Sequence, residues 1–233
     1  MSAPTLPSDR PGRVAATTSR TGYYAVVTTV FCALLLISNV AATKPLEIGG
    51  LILDGGAILF PLTYVLGDVL SEVYGFGRAK RTIWLGFALG ALASACFWAV
   101  DALPAPDWGR PNGDAFHLVL GFVPAIVLAS LCGYLAGQFL NSWVLVKMKE
   151  RTGERSLWSR LVGSTVVGEL ADTAIFCLIA TAIGPFIWAE FWNYFLVGYL
   201  FKCAVEIVML PVTYRVIAFM KRHEPSYRPA VES

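Results

Sequence analysis

The run FPLTYVLGDVLSEVYG, residues 60–75, decides how the chain is read. It continues an apolar stretch from residue 55 long enough to cross a lipid bilayer, yet it carries Asp68 and Glu72. On an α-helix Phe60, Tyr64, Asp68 and Glu72 share one face, because residues four apart stack above one another. A charge at bilayer depth costs roughly 2.5 kcal/mol or more, so such residues usually line a substrate or ion path rather than meet lipid.

The rest of the chain repeats the theme. Its 233 residues are 56% hydrophobic, with a mean hydropathy of +0.63, more than a soluble domain of that size needs for its core. Runs of about 20 apolar residues, the length of a crossing, occur at 23–42, 55–74, 82–100, 122–146, 161–183 and 191–220. The expected fold is therefore all-α: a polytopic membrane protein with six transmembrane helices. Residues 1–20, rich in Pro, Ser, Thr and Arg, read as a disordered cytoplasmic tail, 21–222 as the transmembrane domain and 223–233 as a second tail. No cleavable signal is expected, since the first apolar run lacks a small-residue cleavage site. A short extra helix at 114–121, interrupted at Pro124, precedes the fourth span. The sixth is too long for a simple crossing.

Orientation follows from the basic residues, which favour the cytoplasmic side of short loops. One side collects Arg10, Arg13, Arg20, Arg78, Lys80, Arg81, Lys147, Lys149, Arg151, Arg155, Arg160, Arg215, Lys221, Arg222 and Arg228, and the other only Lys44 and Arg110. Both termini are expected in the cytoplasm. The opposite loops carry Glu47, Asp54, Asp101, Asp107, Asp114 and Glu190, with Trp108, Trp188 and Trp192 at the level of an aromatic belt. A formal charge of +2 gives no footprint for a nucleic-acid partner.

Two more helix faces mix rings with charge: Thr165, Glu169, Asp172 and Phe176 in the fifth span, and Phe195, Tyr199, Lys202 and Glu206 in the sixth. Asp172 and Lys202 each lie about ten residues from a span end, near the midplane. The bland alternative is an ion pair that only holds the bundle together. Charge counting opposes it, because five carboxylates beside one ammonium cannot all stay ionised in low dielectric. Either some carboxylates are protonated or a cation, free or part of the substrate, compensates. Protonatable acids there also permit proton coupling. Rings beside carboxylates suit a flat, nitrogen-rich solute, which stacks on its π-face while a carboxylate accepts two parallel N–H bonds. Aromatic stripes at this spacing are equally compatible with plain packing.

Several features carry no chemistry. The five cysteines sit in apolar runs with no C-x-x-C pair and read as small buried hydrophobes. Histidines 117 and 223 belong to no H-E-x-x-H motif, and G-x-S-x-G is absent, so no catalytic residue, metal or cofactor is expected. Gly86, Gly90 and Ser94 in the third span, and Ala129, Gly133 and Gly137 in the fourth, form ridges of small residues that let helices approach closely. The second ridge serves a neighbouring helix or a second protomer, so a homo-oligomer stays open. Pro-x-Thr-Tyr occurs at 61–64 and 211–214, too short a match for an internal repeat, and both prolines are expected to kink their helices.

Ser38 and Asn39 closing the first span, the run 60–75, Gly137-Gln138, the run GELADT at 168–173 and Phe201-Lys202 together resemble the queuosine precursor transporter family, also called the vitamin uptake transporter family. The likeness covers roughly residues 23–221 in motif order. It implies a six-helix carrier in the bacterial inner membrane importing 7-deazaguanine bases, pre-queuosine nucleobases or queuine, for the modification of transfer RNA. At matching positions Asn39, Asp68, Gln138, Asp172 and Lys202 form the implied core of the site, with Glu72, Glu169 and Glu206 less fixed in the family. Tyr64, Phe176 and Tyr199 are the rings expected to stack on the base.

A second class is the substrate-binding subunit of an ATP-driven vitamin importer, also built of six helices. Such subunits use an Ala-x-x-x-Ala patch on the first helix. Here Ala25, Ala33, Ala41 and Ala42 are followed four residues later by Thr29, Ile37, Pro45 and Leu46, which disfavours that reading.

Overall fold

A computed structural model describes residues 22–152, 157–225 and 227. The first tail and most of the second lie outside the described residues. Helix α1 spans Tyr24–Ala41, α2 Phe60–Tyr74, α3 Phe76–Asp101, α4 Arg110–Leu120, α5 Val123–Thr152, α6 Leu157–Ile183 and α7 Phe191–His223. Six membrane-spanning segments result among the described residues, because α4 and the first part of α5 share one, Asp107–Asn141. Apolar side chains such as Trp84, Leu92, Leu200, Val208 and Phe219 stand exposed on the outer surface. That surface suits lipid, and the backbone polar groups beneath it are satisfied inside helices.

The helix boundaries follow local chemistry. Pro61 occupies the first turn of α2, where its missing N–H is no loss, so the expected kink there does not arise. Helix α2 stops at Gly75, whose φ of 80° most side chains resist. Helix α7 continues through Pro211 with no unwound segment. The extra helix expected at 114–121 begins earlier, at Arg110, and the break before α5 falls at residues 121–122.

One element departs from an all-helical reading. Pro45–Ile48 (β1) and Leu51–Asp54 (β2) pair antiparallel, joined by Gly49 and Gly50 at φ 60° and 81°. Two successive positive φ angles make the two-residue turn that matches strand twist. Asn193 of α7 holds this hairpin: its Oδ1 accepts the Ile52 N–H at 3.1 Å and its Nδ2 donates to the Gly50 carbonyl at 3.3 Å. A 3₁₀ turn, Gly55–Leu59, then leads into α2, packed so closely on the end of α1 that a Cβ on Gly55 would stand 2.4 Å from the Ala41 carbonyl.

Two apolar clusters close the bundle at its ends. Val27, Phe31, Val69, Leu70, Val73, Tyr74, Ala79 and Met220 pack at the end bearing the basic residues. Ala42, Ile126, Ala129, Cys177, Ala180, Phe186 and Tyr194 pack at the hairpin end. Along α1, α2, α6 and α7 the polar positions fall between them. At the basic end Glu224 is buried, and its Oε2 accepts the Tyr23 N–H at 2.8 Å and the Tyr74 hydroxyl at 2.7 Å. The start of the C-terminal segment is thus fastened to α1 and α2 instead of hanging free.

Candidate functional site

Helices α5 and α6 meet through the small-residue ridge. A Cβ on Gly133 would stand 2.7 Å from the Asp172 carbonyl oxygen, and one on Gly137 would stand 2.9 Å from the Asp172 Cβ and from the Gly168 carbonyl. Only glycine allows this approach. The ridge therefore serves packing within the chain, and it fixes the depth at which α6 presents Asp172 and Glu169, three residues apart on one face.

Lys202 of α7 faces that pair. Its Nζ donates a hydrogen bond to Asp172 Oδ2 and lies 3.7 Å from Glu169 Oε2, beyond hydrogen-bond reach. Glu169 Oε2 is itself buried with no hydrogen-bond partner. The Lys202 side chain is 11% exposed, whereas Glu169 and Asp172 each keep 21%. The acids border open space, and the ammonium sits behind them. A buried ammonium without partners is untenable, so the carboxylates are what allow Lys202 to stay charged at this depth.

Aromatic groups complete the wall. Lys202 Nζ lies 5.3 Å from the Phe60 ring centroid, a cation–π geometry, and Phe60 in turn contacts Tyr64 at 6.1 Å. Tyr64 is within electrostatic reach of Lys202, Glu169, Asp172 and Glu206. Tyr199 donates its hydroxyl to the Val166 carbonyl at 3.4 Å and stacks on Phe195. Phe176 turns the other way, edge-on to Phe186 at 5.9 Å in the apolar cluster at the hairpin end.

Asn39 is buried on α1 and accepts a 3.1 Å hydrogen bond from Ser130 of α5 at its Oδ1. Gln138 is exposed on α5, beside the Gly137 contact. Glu206 interacts with Glu169 on one side and Asp68 on the other. Asp68 interacts with Glu72, which pairs with Lys221 at 3.4 Å near the basic end. The acids thus lie within electrostatic range of one another from the middle of the bundle toward that end.

Phe60 lines this group and Asp54 lies within electrostatic range of it, although the sequence places neither among the expected site residues. Asp54 looked like an outer-loop acid, but the hairpin folds it back to within electrostatic reach of Lys202, Cys177 and Tyr194. Burial pushes its carboxyl above the ordinary carboxylate range, and the Lys202 ammonium and the amides of Gly56 and Ala57 oppose that shift. No local signal announces the fold-back, apart from the Gly-Gly turn. Phe60 had one, since it heads the face of Tyr64 and Asp68.

Residues 54–216 match a family described as "Putative vitamin uptake transporter". The chain is 31% identical to a "Probable queuosine precursor transporter" of Bacillus subtilis, over 81% of this chain and 82% of that one. It is 30% identical to the "Queuosine precursor transporter" of Escherichia coli, over 78% and 80%. A Haemophilus influenzae protein also called a "Probable queuosine precursor transporter" is 26% identical, over 70% and 67%. No solved structure matches the chain. With six membrane-spanning segments and a family match over most of its length, the chain belongs to the vitamin uptake transporter family, that of the queuosine precursor transporters.

Proposed function

We propose that this protein imports 7-deazaguanine bases, the precursors of queuosine, across the bacterial inner membrane for transfer-RNA modification, with both termini in the cytoplasm. The observation that carries the reading is the mid-bundle group of Lys202, Asp172 and Glu169 beside the rings of Phe60 and Tyr64. A guanine-like edge offers two parallel N–H donors, which a carboxylate accepts, while its π-face needs an aromatic wall. Asp172 or Glu169 takes the ring N–H and exocyclic amine. The Asn39 amide, whose oxygen is engaged by Ser130, donates to the carbonyl of the base, and Gln138 serves its ring nitrogens. Tyr64, with Phe60, stacks in this scheme. Tyr199 flanks, and Phe176 supports from behind.

Glu169, Glu206, Asp68 and Glu72, spread over α2, α6 and α7 within electrostatic range of one another, support proton coupling, since interacting carboxyls inside a membrane protein titrate jointly. Uptake of labelled 7-deazaguanine bases by cells unable to make them tests the reading. Expression of the chain raises uptake, and collapse of the proton gradient lowers it. Uptake equal to that of cells lacking the chain refutes transport, and uptake indifferent to the gradient refutes coupling alone.

A further inference from the structure

Asn39 of α1 is a buried amide with one end satisfied. Only 4% of the residue is exposed, and its Oδ1 accepts the Ser130 hydroxyl at 3.1 Å. Its Nδ2 meets no acceptor among the described residues. That amine lies across from Gly90 of α3, where a Cβ would stand 3.9 Å from it, so no side chain at that position crowds it. On α5, Gly133 faces Asp172 of α6, while Val127 and Tyr134 face Gly90 and Phe87 of α3. At helical spacing Ser130 falls between these two directions and looks into the bundle. Buried polar groups are nearly always hydrogen-bonded, and an amide nitrogen left over on the inner wall of a carrier asks for an acceptor on the cargo.

Ser130 also ties this amide to the mid-bundle charges. It stands three residues before Gly133, whose Cβ would be 2.8 Å from Asp172 Oδ1, so the amide and the carboxylate flank α5 about one turn apart. A guanine-like edge carries its carbonyl directly beside its ring N–H. An acceptor for the N–H and a donor for the carbonyl must then be neighbours, as Asp172 and Asn39 are. An amide offers an acceptor or a donor according to which way it is turned, and its hydrogen-bond partners decide which. The Ser130 hydroxyl spends its one proton on Oδ1 and so keeps the nitrogen free. We propose that Ser130 is a positioning residue that holds Asn39 as a donor, and that through it the carrier selects bases with a carbonyl over those with an amine at the same ring position. This inference rests on the base-carrier reading and adds to it the residue that sets the carbonyl preference.

The test uses the full chain in cells that neither make nor otherwise import these bases. Initial uptake of a labelled 7-deazaguanine is followed against concentration, and compared with that of its labelled diamino analogue, which has an amine in place of the carbonyl. Wild type is expected to favour the carbonyl base by about tenfold, the equivalent of about 1.4 kcal/mol. Ser130→Ala, matched for membrane protein level, raises KM for the carbonyl base severalfold, leaves the maximal rate near that of wild type and removes most of the preference, because the released amide can turn its oxygen to the amine. Ser130→Thr, which keeps the hydroxyl, restores both. Should Ser130→Ala not reach the membrane, Ser130→Cys, a weaker donor, is read in its place, with the preference reduced. A preference unchanged by loss of the hydroxyl overturns the inference, and so does an equal fall in uptake of both bases, the mark of a packing role. Wild-type uptake of the diamino base equal to or above that of the carbonyl base overturns it while leaving the base-carrier reading standing. Uptake of neither base by wild type overturns the base-carrier reading and the inference with it.

Discussion

The Tyr74 hydroxyl donates to Glu224 Oε2 at 2.7 Å, fastening the end of α2 to the chain just beyond α7. The same oxygen accepts the Tyr23 N–H at the head of α1. Hydrogen bonds to a charged acceptor each contribute about 1.5–3 kcal/mol. Tyr74→Phe should therefore lower stability by about 2 kcal/mol, and Glu224→Ala by more, since it removes both partners' acceptor. Thermal unfolding of the purified protein in detergent reads both, and equal midpoints for Glu224→Ala and wild type would contradict the assignment.

Lys202 balances two acids, so removing it should do more harm than removing one of them. Lys202→Met leaves Asp172 and Glu169 facing each other without a counter-charge, a loss of about 3–5 kcal/mol. Asp172→Asn still leaves Lys202 near Glu169 and should spare folding while abolishing uptake. Membrane protein levels and uptake, measured side by side, separate the two effects. Normal uptake by Asp172→Asn removes that residue from the site.

Gly137 offers a test of positioning without touching the charges. Its missing Cβ would meet the Asp172 Cβ and the Gly168 carbonyl at 2.9 Å, so Gly137→Ala must push α6 from α5, at about 1–3 kcal/mol. Uptake should fall severalfold with the charged residues intact. A variant with wild-type stability and uptake would show that α5 tolerates the shift.

Asn193 holds the hairpin through two hydrogen bonds. Asn193→Ala should loosen residues 45–54 locally, at about 1 kcal/mol per lost bond, while the bundle keeps its melting point. Hydrogen exchange would then quicken at Ile52 and its strand neighbours. Faster exchange spread evenly over α6 and α7 would mean that the hairpin has a global role.

The helical layout was legible because lipid imposes one rule, about 20 apolar residues per crossing, and observed spans such as Gly55–Tyr74 follow it. The pairing of Asp172 with Lys202 was legible from depth, since two opposite charges near midplane on separate helices have few other partners. Asp54 was not, because nothing at residues 45–54 except two glycines distinguishes a hairpin held against α7 from a solvated loop. The turn of Phe176 toward the hairpin-end cluster was hidden too. Helical spacing groups it with Asp172, but stacking of Phe186 on Tyr194 at 4.0 Å offers it an apolar partner that only tertiary structure supplies. Proline misled in a different way: at Pro61 its effect depends on being in a first turn, and that requires the helix start to be known.

Helix α7 is one unbroken rod from Phe191 to His223, about 50 Å long at 1.5 Å per residue. Lys202 rides about a third of the way along it, and Glu224 follows immediately after its last turn. Between the two lies Pro211, where the helix lacks one backbone hydrogen bond, so the roughly 30 Å of axis that separates the mid-bundle charges from the Glu224 fastening holds a built-in point of compliance.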